Sequence, residues 1–241
     1  MNTWKQASSL AWFELRKSKM SLLYFAIMLL ASTILFVSML SSYLQKSFVG
    51  MDVFFLIAFG FSPVWMKPKE FQYQKIDERT WGSPLFITLS QLPIKKEVLA
   101  GSRFIVYFTY AIPFQILLLI SLYVFSSDIR ATMSPAAYFI FSVIWMAYGI
   151  CVGGAFPAVD AGDHITLQKS IVQAILLFFA LMIMLVIFHI AFGFGLVAWT
   201  IILAKEWPLV STVVSIITAI IGYRYYVNYA YKKMAKIDYL K

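Results

Sequence analysis

The stretch MSLLYFAIMLLASTILFVSMLSSYL, Met20 to Leu44, runs for 25 residues without a charge. As a helix rising 1.5 Å per residue it would be about 37 Å long, enough to cross a hydrocarbon core of about 30 Å with some tilt. It exceeds a signal-peptide core, follows Glu14 and two tryptophans, and has no small-residue cleavage site after it, so it is expected to remain in the mature protein. Outward from it, four more runs have spanning length: Phe48 to Met66, Phe104 to Phe125, Pro135 to Phe156 and Leu209 to Val227. Between the last two lies Ile171 to Ala204, which as one rod would reach about 51 Å and overshoot the membrane. A bend at Gly193 and Gly195 is therefore expected, giving a fifth span over Ile171 to Phe192 and a short folded segment, Gly193 to Trp207, at the far face.

Composition agrees. Of 241 residues, 61% are hydrophobic and 13% charged, against about 45–50% and 25% in soluble domains. Six crossings take about 120 residues and leave too little chain for a soluble domain. The expected fold is all-α: a polytopic membrane protein with six transmembrane helices over 20–44, 48–66, 104–125, 135–156, 171–192 and 209–227. The net charge of +9 does not point to nucleic acid, because the basic residues lie between apolar runs and not on one soluble face. Counted on alternate sides of six spans, 17 Lys and Arg fall on the side of both termini and only Lys46, Arg130 and Lys205 on the other. Basic residues are retained on the cytoplasmic side, so both termini are expected there. Residues 1–19 form a separate unit. Trp4, Ala7, Ala11 and Leu15 alternate with Lys5, Arg16 and Lys19 at helical spacing, the pattern of an interfacial amphipathic helix against the plainer alternative of a disordered basic leader.

Catalytic motifs are missing. No GxxxxGK[ST] loop occurs, so ATP, if used, is bound by another chain. The match of Gly193 to Ala198 to a dinucleotide fingerprint has no preceding strand and reads as the bend. His164 and His189 show no metal-ligand spacing, and no cofactor is expected. The single Cys151 sits in an apolar run as a small hydrophobe. Asp160 and Asp163, flanking Ala161-Gly162, fit a solvated turn and helix cap better than an acid–base pair. Ionisable groups are nearly absent from the spans, with His189 the one clear case and Gln115 and Gln173 neutral polar companions. These three are candidate pathway residues, though His189 serves equally as a packed, hydrogen-bonded helix contact. Gly149 and Gly153 give the fourth span a small-residue face for close helix packing.

The second-to-third connection differs in kind. Lys67 to Arg103 carries 11 of the chain's 31 charges in 37 residues, more than a turn requires, and is expected to dock onto a partner. Lys69 to Thr80, with Asp77, Glu78 and Arg79, reads as a charged helical extension of the second span, broken at Trp81-Gly82. Ser83-Pro84 then opens a short helix to Gln91 that presents Leu85, Phe86, Leu89 and Leu92 before Pro93 ends it.

Here the sequence resembles the permease subunits of bacterial type-2 ATP-binding-cassette exporters. The resemblance rests on Glu78-Arg79-Thr80-Trp81-Gly82-Ser83, on Leu89-Ser90-Gln91-Leu92-Pro93-Ile94-Lys95-Lys96 and on Gly101, with the six-span topology in support. It implies that 20–241 is a permease domain in the bacterial plasma membrane, paired with a second permease subunit and seated on a separate ATPase. It also implies that 67–103 is the coupling segment, its interface drawn from Asp77, Glu78, Arg79, Trp81, Gly82, Leu85, Phe86, Leu89, Leu92 and Pro93. The chain itself would not be an enzyme. The substrate would be hydrophobic or amphipathic: a peptide, lipid or drug. Two other classes fit the topology: an ion-coupled or passive carrier, which scarce membrane charges and the lack of internal repeats disfavour, and a non-transporting assembly or regulatory protein.

Overall fold

A computed structural model describes residues 3–17, 19–46, 49–66, 74–75, 80–160, 163–164 and 167–236. In chain order the elements are α1 (Thr3–Lys17), α2 (Lys19–Lys46), α3 (Val49–Gly60), α4 (Ser62–Met66), β1 (Gln74–Lys75), β2 (Thr80–Gly82), α5 (Pro84–Ser90), α6 (Lys96–Phe125) and α7 (Ser127–Thr132). There follow α8 (Pro135–Gly153), α9 (Ala155–Val159), β3 (Asp163–His164), α10 (Leu167–Phe192), α11 (Leu196–Glu206) and α12 (Pro208–Lys236). Among the described residues, five helical stretches are long and apolar enough to cross a membrane: Met20–Leu44, Lys96–Phe125, Pro135–Val159, Ile171–Phe192 and Pro208–Met234. The chain is a multi-pass membrane protein. Apolar side chains cover even its outer surface, as on α10, where Ile190 is 76% exposed, which suits a hydrocarbon solvent.

The run 48–66 is not the single crossing helix expected. It divides into α3, about 18 Å long, and the five-residue α4. Pro63 is the physical cause, since it has no N–H with which to continue the helical ladder onto Phe59. Two spans are longer than their apolar runs: α6 starts at Lys96 and α12 continues to Lys236, because charged first and last turns extend a helix beyond its apolar part. The helical extension expected over Lys69 to Thr80 is also corrected where it is described. Gln74–Lys75 and Thr80–Gly82 are antiparallel strands, with Lys75 opposite Trp81 and Gln74 opposite Gly82. Thr80 and Trp81, both strand-favouring types, pair on their other edge with His164 and Asp163 of β3. This small ribbon thus joins the two loops that precede α5 and α10.

The core is aromatic. Phe55 of α3 packs 4.8 Å from Phe36 of α2 and 4.7 Å from Trp145 of α8, between ring centroids. Helix α8 lies close against α12: a Cβ at Gly222 would meet the Cys151 backbone at 2.9 Å. Helix α1 lies along α6, burying Ala7, Ala11 and Glu14 and leaving Trp4, Trp12 and Phe13 exposed. Gly101 of α6 permits that approach, since a Cβ there would come within 3.2 Å of the Ala7 methyl.

Candidate functional site

Three polar constellations interrupt the apolar bundle. The first lies where α10 breaks into α11. Gly193 adopts φ 75°, a left-handed conformation that glycine takes without strain, and so ends α10. The freed N-terminus of α11 then points at Asp52 of α3. The Asp52 Oδ1 accepts from Val197 N–H at 2.8 Å and from the Tyr43 hydroxyl at 2.6 Å, while that hydroxyl accepts from Ala198 N–H at 3.0 Å. Asp52 is 1% exposed. A carboxylate at a helix N-terminus satisfies the orphan amides and complements the helix dipole, so here one helix caps another. Gly195 is required for the approach: a Cβ there would collide with the Asp52 carboxylate and the Tyr43 hydroxyl. His189, one turn before the break, lies within electrostatic reach of Asp52, and its Nδ1 is buried without a hydrogen-bond partner among the described residues. Further along α11, Thr200 accepts from the Trp145 indole at 3.1 Å, and Val197, Thr200, Ile201 and Ala204 are buried, so one face of α11 is packed into the bundle.

Asp52 corrects the sequence reading that His189 is the clear ionisable group within the spans. The signal was present: Asp52 is the sole carboxylate inside the apolar run 48–66. Its importance was masked because one of its two donors, Val197 N–H, lies 145 residues away in sequence.

The second constellation repairs the break between α3 and α4. Pro63 cannot donate to the Phe59 carbonyl, and Val64 N–H turns to Phe61 O at 3.1 Å in place of Gly60 O. The two orphan carbonyls are met from α6. Gln115 Nε2 donates to Phe59 O at 2.8 Å and the Tyr107 hydroxyl donates to Gly60 O at 3.2 Å. Gly149 and Gly153 of α8 leave the room, since a Cβ at Gly149 would overlap the Gln115 carboxamide and one at Gly153 would come within 2.6 Å of the Tyr107 hydroxyl. Gln115, a candidate pathway residue, is therefore a buried backbone partner. Gln173 is exposed on α10, far along the helix from His189, and the structure does not bring the three candidates together.

The third lies at the basic end. Leu89 and Ile94 pack against Leu99, Ala100 and Met234 beside Leu10 and Tyr231, so Leu89 turns toward the protein. Leu85 is half-buried, while Leu92 is 50% exposed beside the exposed Pro93. Ser83 takes the N-cap position of α5 but gives no side-chain cap, and Pro84 fills the first turn. Lys96 Nζ donates to Met234 O at 2.8 Å, tying the start of α6 to the end of α12. Arg103 pairs with Glu14, joining α6 to α1 through two buried charges, and Asp160 adds its field to Arg103. Asp160 is itself buried, which corrects its reading as a solvated turn. Trp81 and Gly82 stand on β2 and Phe86 on α5. Asp77, Glu78 and Arg79 lie outside the described residues.

Among the described residues no His, Cys, Asp or Glu cluster could hold a metal ion. Comparison of the chain with protein-family models, with curated proteins and with solved structures gives no match.

Proposed function

We propose that this chain is the membrane subunit of an ATP-binding-cassette exporter in a bacterial plasma membrane. In this reading two permease subunits sit above a separate ATPase and move a hydrophobic or amphipathic substrate. The supporting observation is the attachment of the segment around α5 to the spans. Leu89 and Ile94 are packed into the junction of α1, α6 and α12, and Lys96 ties α6 to α12, so a displacement of α5 by an ATPase is passed on to two long helices. Leu92 and Pro93 remain outward for contact. The chain needs no catalytic group of its own, because the partner binds ATP.

Six crossings follow if α3 and α4 together make the second. Asp52 at the start of α3 bonds Tyr43 near the end of α2, and Gly60 at its end bonds Tyr107 in the first half of α6, as expected of a segment returning across the bundle. Both termini and residues 67–103 are then cytoplasmic, together with 17 of the 20 Lys and Arg, and α1 lies in the interface with Trp4 and Trp12 toward the headgroups. Asp52, Tyr43 and His189 favour a second reading, an ion-coupled carrier, since buried ionisable groups in membranes often carry protons. Against it, the Asp52 carboxylate already has donors from Tyr43 and Val197.

The test is purification of the tagged chain from its native membranes, followed by reconstitution into vesicles. The expected result is a bound subunit that hydrolyses ATP, and a hydrolysis rate that changes when the chain is present. Absence of that subunit, with substrate flux driven by an imposed proton gradient, would favour the carrier.

A further inference from the structure

We propose that a groove at the basic end of the bundle, between α1, α6 and α12, binds one phospholipid whose headgroup ends in a primary amine. This inference does not depend on the exporter reading. Two adjoining cavities of about 230 and 290 Å³ share Trp4, Phe104 and Tyr223. Together they follow a single stripe of α6, with Glu97, Gly101, Phe104, Phe108 and Ile112 at spacings of three and four residues. From Glu97 to Ile112 the stripe is about 22 Å long, somewhat more than one leaflet of a core about 30 Å thick. Its polarity is graded along that length. The end at Glu97 also has the Thr3 and Tyr231 side chains, whereas the far end, at Phe108, Ile112 and Ile150, is apolar. A phospholipid has the same gradient and length.

The groove is held open by contacts in its floor and beside it. Helix α1 is fixed to α6 by the buried Glu14–Arg103 pair and the close Ala7–Gly101 approach, and α12 is tied to α6 by the bond from Lys96 to Met234. A preformed cleft loses little entropy on filling. The headgroup choice follows from charge. The chain as a whole carries +9, which by itself attracts anionic lipid. Yet the only Asp, Glu, Lys, Arg or His among the residues lining the two cavities is Glu97, whose carboxylate repels an anionic headgroup and accepts hydrogen bonds from an ammonium. A quaternary ammonium has the charge but no N–H to donate.

The full chain, purified in detergent, is examined by native mass spectrometry after addition of equal amounts of dioleoyl phosphatidylethanolamine, phosphatidylglycerol and phosphatidylcholine. One phosphatidylethanolamine should be retained, with a preference of about tenfold over the other two, as expected for one charge-assisted contact. Glu97→Gln, at an exposed position, should keep the melting temperature and reduce that preference to near unity. Ile112→Trp should lose the retained lipid by filling the tail end, while Ile120→Trp, outside the groove and 53% exposed, should keep it. Four results would overturn the proposal: equal retention of all three lipids, preference for phosphatidylglycerol, an unchanged preference in Glu97→Gln, or a lipid-free dimer with the groove covered by a second copy.

Discussion

Val197 N–H donates to the Asp52 carboxylate at 2.8 Å across 145 positions of sequence, and this bond fixes α11 against α3. Removing the carboxylate leaves the Val197 amide and the Tyr43 hydroxyl without their shared acceptor in a site closed to water. Asp52→Ala should therefore destabilise the fold by about 1.5–3 kcal/mol, the range for hydrogen bonds to a charged group. Asp52→Asn keeps an acceptor oxygen and should cost less. Thermal melting in detergent gives the ranking, and a cysteine at Ala198 reports whether α11 has loosened, since its labelling by a soluble thiol reagent should speed up in Asp52→Ala. Equal melting and equal labelling in the variants and the parent would remove Asp52 from this role.

Gly149→Ala should be destabilising for a reason that can be reversed. The new methyl overlaps the Gln115 carboxamide, displacing the donor that satisfies Phe59 O and leaving a buried carbonyl orphaned at a cost of about 1–3 kcal/mol. If the overlap is the cause, shortening the partner relieves it. The double variant Gly149→Ala, Gln115→Ala should then be no less stable than Gln115→Ala alone. A double variant that loses the sum of both single effects would mean that Gly149 serves the close approach of α8 to another helix, as the sequence pattern alone suggests.

The five long spans were legible because lipid demands about 20 unbroken apolar residues, a signal that needs no knowledge of neighbours. The bend at Gly193 was legible for a similar reason, since 34 apolar residues exceed the membrane. The break of 48–66 was not read, although Pro63 lay in the run, because whether a proline kinks or divides a helix depends on which donors reach the orphan carbonyls. Those donors, Gln115 and Tyr107, come from another helix. The ribbon was missed because its third strand lies some 80 residues away in sequence, and no local pattern over Gln74 to Gly82 announces it. Leu89 and Leu92 follow the same limit: of two leucines three residues apart, one turns inward to Met234 and the other outward.

The Glu14–Arg103 pair should behave as a buried clamp. Arg103→Met alone strands the Glu14 carboxylate among apolar groups, and loss of one partner of a buried pair costs about 3–5 kcal/mol. Replacing both, as Glu14→Leu with Arg103→Met, removes the stranded charge and should recover much of that loss. Melting temperatures of the parent, the single and the double variant decide it. A double variant as unstable as Arg103→Met would mean that Asp160, which also acts on Arg103, is the partner that matters.

The proposed ATPase contact can be tested through charge and apolar surface separately. Asp77 and Glu78 belong to a highly charged connection, and reversing both to Lys should weaken docking by removing charge-assisted contacts of about 1.5–3 kcal/mol each where they are desolvated. For the apolar part the informative position is Leu92, which is 50% exposed. Leu92→Asp should reduce retention of the ATPase while leaving expression and melting temperature closer to the parent than Leu89→Asp does, because half of Leu92 already faces outward. Leu89→Asp introduces a charge against Leu99, Ala100 and Met234, so it should lower the melting temperature first and docking only as a consequence. Pull-down of the ATPase from co-expressing membranes, with melting measured on the same preparations, separates the two mechanisms. If Leu92→Asp and the Asp77, Glu78 reversal both retained the ATPase at parent levels, docking would move to the neighbouring loop, Asp160 to His164, which the pairing of β2 with β3 sets beside this segment.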